Sequence, residues 1–158
     1  VDPRTGRLHP TFHQTGAADR DRVAKAYAEA GVAASVVDFE PDMPNRYRWA
    51  DLAVCRSGAL TVAELALSGL PAVFVPYPYA ADDHQAANAR ALAAVGAARV
   101  LDSHTLTSET LAETLMDLFS QPQELRRMAA AAAALARPRA AEEIVSECAD
   151  LTSQRDRR

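Results

Sequence analysis

The chain has 158 residues, 49% hydrophobic and 24% charged, a composition that fits one globular domain and excludes disorder over most of its length. Its 17 basic and 21 acidic residues leave a formal charge of -4 with no dense Lys/Arg run, so no nucleic-acid partner is expected and an anionic ligand would need a local site. Cys55 and Cys148 lie far apart without metal-type neighbours, which argues against a zinc site or a disulfide framework, and the longest apolar stretch, 128–136, falls well short of the roughly 20 residues a membrane span needs.

The start, Val1-Asp2-Pro3-Arg4, carries neither an apolar export segment nor an initiator Met, so the expectation is a cytoplasmic protein whose chain begins inside its gene. Short β-branched runs then alternate with longer alanine-rich stretches, the pattern of an α/β domain. A strand is predicted over 8–13, closed by Gln14-Thr15-Gly16. An amphipathic helix over 19–30 follows, with Val23, Ala26, Tyr27 and Ala30 on one face and Gly31 as its stop. After a short strand over 35–39, residues 41–50 form a short helix or turn carrying Met43, Tyr47 and Trp49. Residues 52–55 are a near-continuous apolar run, predicted as a strand buried on both faces as in parallel sheets. Beyond Arg56-Ser57-Gly58-Ala59 comes a helix over 60–68, ended by Gly69, and then a buried strand over 72–75. A helix over 82–95 stops at Gly96, and an edge strand spans 99–101. The next helix, 107–119, has a Thr107-Ser108-Glu109 cap and turns Leu111, Leu115, Leu118 and Phe119 inward. Helical stretches over 122–136 and 138–151 precede a frayed charged tail, 154–158; the alanine run 129–136 suits close helix packing.

The most informative unit is Val54-Cys55-Arg56-Ser57-Gly58-Ala59-Leu60-Thr61-Val62-Ala63-Glu64, a buried strand, a small-residue turn and a helix start. Backbone N–H groups at such a start lack intrahelical partners and face the positive end of the helix dipole, which makes a phosphate cradle. Gly58 and Ala59 leave room for a ligand, and Glu64, one turn further on, is placed to accept hydrogen bonds from ribose hydroxyls. The same residues also suit a plain glycine turn before a helix.

The second unit, 76–88, again follows a strand's carboxyl end, where ligands of open α/β sheets collect. Gln85 suits sugar hydroxyls because an amide both donates and accepts. Asp82, Asp83 and His84 are weighed as metal ligands, but adjacent residues rarely converge on one ion, so no metal is expected. His13-Gln14-Thr15-Gly16 and Phe39-Glu40-Pro41-Asp42-Met43 are two more strand-end loops. His13 is weighed as a general base, but a lone histidine at a strand end reads as structural or loop-exposed; the main chain near Phe39 and Glu40 could read the edge of a base, the Glu40 side chain itself being irrelevant to that readout.

Taken together and in this order, these loops resemble the C-terminal half of the MurG-type N-acetylglucosaminyltransferases of peptidoglycan synthesis, which have the GT-B fold. The resemblance runs from His13-Gln14-Thr15-Gly16 through Trp49-Ala50-Asp51 and the 54–64 tract to Gly69-Leu70-Pro71-Ala72 and Asp83-His84-Gln85-Ala86-Ala87-Asn88-Ala89. It implies a doubly wound parallel α/β sheet. It also implies an inverting hexosyltransferase that moves N-acetylglucosamine from UDP-N-acetylglucosamine to lipid I, giving lipid II, with no metal or other cofactor. Carried over residue by residue, it implies that the backbone of Ala59, Leu60 and Thr61 holds the diphosphate, with Thr61 Oγ1 assisting and Val62 and Ala63 counted alongside. Glu64 then holds the ribose, the main chain around Glu40 the uracil, and Gln85, with His84, the sugar; Ser57, Gly58 and Asn88 are further candidates.

Members of that family also carry an N-terminal domain that binds lipid I and the membrane and supplies the catalytic histidine, and 158 residues cannot hold both domains. Their C-terminal domain opens with a strand and a Gly-Gly-Ser loop, whereas here the first eight residues lead directly to the His13 loop. In a 3-2-1-4-5-6 order the missing strand is the central one, which leaves two buried edges free for self-association. The expectation is therefore a fragment: residues 1–153 as an incomplete donor-binding domain, with no catalytic residue of its own and inactive by itself. The alternatives are a GT-B transferase with another acceptor, such as diacylglycerol, and a non-catalytic nucleotide-binding or assembly module.

Overall fold

The structure, a computed structural model, describes residues 9–79 and 83–155, with side chains through Thr152. Its elements in chain order are β1 (Thr11–Gln14), α1 (Arg20–Glu29), β2 (Ala34–Val37), α2 (Met43–Trp49), β3 (Ala53–Cys55), α3 (Ala59–Ser68), β4 (Ala72–Phe74), α4 (His84–Ala94), β5 (Ala98–Val100), α5 (Ser108–Ser120), α6 (Pro122–Ala134) and α7 (Ala140–Arg155). The first residue of the strand expected over 8–13, residues 80–82 of the second candidate unit (Asp82 among them), and 156–158 of the expected tail lie outside the described residues.

Every strand pair is parallel: β1 with β2, β3 with β4, and β4 with β5. Each pair is joined by one crossover helix, as parallel pairing requires. The α/β class and the order of elements match the sequence reading. Among the described residues β1 and β3 share no ladder, so the strands form one sheet of two and one of three. A 3-2-1-4-5-6 order leaves this same division when its first strand is not among the strands described.

Local chemistry sets the element ends. Gly69 closes α3 in the left-handed region at φ 60°, where its N–H and that of Leu70 return to the last carbonyls of the helix. A Cβ at Gly69 would lie 3.5 Å from Ala133 Cβ and 3.6 Å from the Ala129 carbonyl, so the alanine run of α6 packs closely on the end of α3. At the start of α5, Thr107 accepts from the Thr110 N–H and Thr110 Oγ1 accepts from the Thr107 N–H. The capping box therefore uses Thr110, one residue beyond the expected Glu109.

β4 is the middle of the core. Ala72 and Phe74 face Leu65, Leu92 and Ala132, while Val73, pointing the other way, meets Leu118 and Met128. All three β4 residues are buried, as expected of a central parallel strand. β3 departs from the expectation of burial on both faces: Ala53 and Cys55 are half-buried and Val54 is 46% exposed. The reason is positional, since β3 pairs only with β4 and leaves its other edge unpaired among the described residues. Cys55 still sits against the core, and burial pushes its thiol up to about 11.

Candidate functional site

β3 runs into Arg56-Ser57-Gly58 and then directly into α3. Gly58 occupies the cap position in extended conformation, and its carbonyl takes the Val62 N–H at 2.9 Å. Gly58 brings no side chain to cap the helix, and the N–H groups of Ala59, Leu60 and Thr61, in its first turn, have no intrahelical partner. A Cβ at Gly58 would find only Thr61 Oγ1, at 4.0 Å, which leaves the approach to these amides open. Ala59 and Ala63 are exposed, Thr61 and Val62 half-buried, and Leu60 projects outward at 80% exposure. One turn along, Glu64 is exposed, and its Oε2 accepts a 2.7 Å hydrogen bond from the Tyr47 hydroxyl of α2.

The next loop is locked to this one. Ser57 is fully buried and its hydroxyl donates to the Gln85 carbonyl at 2.7 Å, while Asn88 Nδ2 donates to the Ser57 carbonyl at 3.0 Å. Ser57 and Asn88 thus tie the start of α4 to the turn before α3. Gln85 Oε1 accepts from the Tyr77 N–H at 3.0 Å. Arg56 donates to the carbonyls of Val75 and Pro76 at 2.8 and 3.0 Å and lies over the Tyr77 ring, bracing the loops after β3 and β4 against each other. His84 is exposed on the first turn of α4.

The loops after β1 and β2 meet in the same way. Gln14 Oε1 accepts the Glu40 N–H at 3.0 Å. Glu40 is only 7% exposed; its carboxylate accepts from the Asp42 N–H at 2.9 Å and pairs with Arg46, whose guanidinium stacks over Phe12 at 4.2 Å. The Arg46 hydrogen bond, helped by the Asp42 N–H, holds the Glu40 carboxyl below the usual carboxylate range. The side chain, set aside as a reader of the base, has a part in the loop itself: it shapes the segment that carries its main chain. Phe39 beside it is 70% exposed. His13, half-buried, contacts the Tyr27 hydroxyl at 3.2 Å, in keeping with a structural role.

The structure therefore brings Ser57, Gly58, Ala59, Leu60, Thr61, Glu64, Gln85 and Asn88 to adjoining loops and the α3 mouth, while Glu40 lies in the loop after β2, held by Gln14 and Arg46. Sequence reasoning missed Tyr47, Arg46 and Arg56. The partners of Tyr47 and Arg56 lie 17 to 20 residues away, where no local spacing announces them, while Arg46 reaches back only six residues to Glu40, across a turn that no helical or strand period spans. Among the described residues, no group of three or more His, Cys, Asp and Glu side chains could hold a metal ion, and no helix is long and apolar enough to cross a membrane.

These features define a Rossmann-like parallel α/β domain with the loops after β3 and β4 joined beside a helix start whose first amides lack intrahelical partners. A sequence profile described as the glycosyltransferase family 28 C-terminal domain matches residues 6–144, and the chain belongs to that family. The UDP-N-acetylglucosamine--N-acetylmuramyl-(pentapeptide) pyrophosphoryl-undecaprenol N-acetylglucosamine transferase of Geobacter metallireducens is 50% identical over 143 residues, 90% of this chain and 39% of the relative. The enzyme of the same name from Hahella chejuensis is 52% identical over 136 residues, 86% of this chain and 38% of the relative. The chain thus spans well under half the length of the curated relatives it matches. The solved structure of Acinetobacter baumannii MurG matches with a TM-score of 0.83 at 40% identity, over 90% of this chain and 42% of that one. Glycosyltransferase VinC matches at 0.67 and 21% identity, over 94% of this chain and 35% of that one, a likeness of fold alone.

Proposed function

We propose that this chain is the donor-binding part of an inverting hexosyltransferase that moves N-acetylglucosamine from UDP-N-acetylglucosamine to lipid I, forming lipid II. The observation that carries the proposal is the arrangement at α3, with three amides that lack intrahelical partners at its mouth and a carboxylate one turn inside. It stands in a chain about half identical to enzymes named for N-acetylglucosamine transfer.

In this reading the amides of Ala59, Leu60 and Thr61 hold the diphosphate, with Thr61 Oγ1 as a further donor and the Val62 and Ala63 backbone lining the same turn. Aligned peptide dipoles add roughly half a positive charge at that end. As the bond from the sugar to the β-phosphate breaks, negative charge grows on the departing UDP, and fixed donors stabilise it without having to reorganise. Glu64 accepts from the ribose hydroxyls. The main chain of Glu40 reads uracil, a base carbonyl taking the place that Gln14 Oε1 occupies on the Glu40 N–H. Gln85, flanked by His84, turns its amide to the sugar, while Ser57 and Asn88 keep that loop in register with α3. Residues 1–153 form the donor-binding unit. The acceptor, lipid I, would meet the part of such enzymes that this chain does not span, and the reading assigns the whole protein to the cytoplasmic face of the membrane.

The test is transfer by the full-length protein, supplied with labelled UDP-N-acetylglucosamine and either lipid I or diacylglycerol. Label is expected on lipid I alone. Label on diacylglycerol instead would move the protein to another acceptor class, and label on neither would contradict a transferase.

A further inference from the structure

We infer that Tyr47 is a positioning residue for Glu64, through which α2 makes the site select nucleotides that carry free ribose hydroxyls. This rests on the reading of Glu64 given above and adds to it the residue that aims the carboxylate.

Glu64 is exposed on a helix surface, where a glutamate otherwise divides its time among several rotamers, a freedom that binding would have to remove. Tyr47 removes that freedom before any ligand arrives. Its ring is half-buried and packs against the core that includes Leu65 and Phe74, and its hydroxyl reaches Glu64 Oε2 at 2.7 Å. Hydrogen bonds to a charged acceptor are shorter and stronger than neutral ones. Burial, then the bond to Glu64, pushes the Tyr47 hydroxyl well above its ordinary range, so it stays protonated and always donates. One carboxylate oxygen is committed in this way. No hydrogen bond to the other, Oε1, is recorded among the described residues, and its two lone pairs match two adjacent hydroxyls.

The preceding residue of the same helix completes the device. Arg46 holds the carboxylate of Glu40, so consecutive residues of α2 fix the loop after β2 and the acid of α3 relative to each other. α2 therefore sets the spacing between the loop that would read the base and the group that would read the ribose.

Calorimetric titration of the full-length protein with UDP and with 2′,3′-dideoxyuridine diphosphate tests this. Tyr47→Phe keeps the ring and removes only the hydroxyl. It is expected to weaken UDP about fivefold, the weight of one net hydrogen bond, and to leave the dideoxy nucleotide unchanged. Adding Tyr47→Phe to Glu64→Ala is expected to cost nothing more. Equal weakening of both nucleotides would overturn the inference, making the tyrosine a support of the fold, and so would no change in either. If Glu64→Ala weakens UDP while Tyr47→Phe does not, only this inference fails. If Glu64→Ala itself has no effect, the reading of the site fails and takes this inference with it.

Discussion

Replacing Glu64 with alanine is expected to lower the affinity for UDP by roughly ten- to hundredfold in calorimetric titration, the 1.5–3 kcal/mol that hydrogen bonds to a charged group are worth. The substitution should leave the fold alone. Glu64 is exposed, sits mid-helix where alanine is the better helix former, and its side chain makes a single hydrogen bond among the described residues, to the Tyr47 hydroxyl. Ribose recognition is remote from the bond that breaks, so in a transfer assay the loss should fall on KM and spare kcat, as for an interaction made equally in ground and transition states. Glu64→Gln, which keeps an acceptor oxygen without the charge, is expected to fall between the two. An unchanged affinity in Glu64→Ala would remove the acid from the site.

Phe74→Ala is expected to have the opposite character, a loss of about 3–5 kcal/mol in stability read from the urea midpoint, with little effect on the affinity of the molecules that remain folded. Phe74 is fully buried in β4, the only described strand paired on both sides, and packs with Leu65, Leu92 and Ala132. Neighbouring helices cannot close a void of that size without moving backbone that is already hydrogen-bonded to β3 and β5. Set against a typical total of about 5–15 kcal/mol for a domain, the loss is roughly a fifth or more of the whole. A shift of less than about 1 kcal/mol would mean that the core lies elsewhere.

The contrast between these two residues follows how much of the molecule can be read from its sequence. Phe74 stands in a short apolar run between Gly69-Leu70-Pro71 and Pro76, so its burial follows from pattern alone. The start of α3 is equally legible, because a glycine between a strand and an alanine-rich helix leaves amides without partners wherever the chain later packs. Burial of β3 was expected on the same grounds and did not follow, since Val54 depends on what lies along the second edge of its strand, and composition carries no record of that. The fixing contacts were not legible either. Tyr47 and Glu64 are 17 residues apart, Gln14 and Glu40 26, and Ser57 and Asn88 31. No helical or strand period links such positions, so only the fold brings them together. Glu40 shows the same limit: an acid in a loop reads as solvent-facing until Gln14, 26 residues away, is seen to hold its main chain and Arg46 its carboxylate.

The amide resonances of Ala59, Leu60 and Thr61, followed by NMR while UDP is titrated into the protein and compared with a titration of uridine, report directly on the mouth of α3. A diphosphate seated there will shift all three with UDP and leave them nearly unmoved with uridine. If UDP binds and perturbs other helices while these three amides stay where they were, the phosphates lie elsewhere and α3 is only a structural helix.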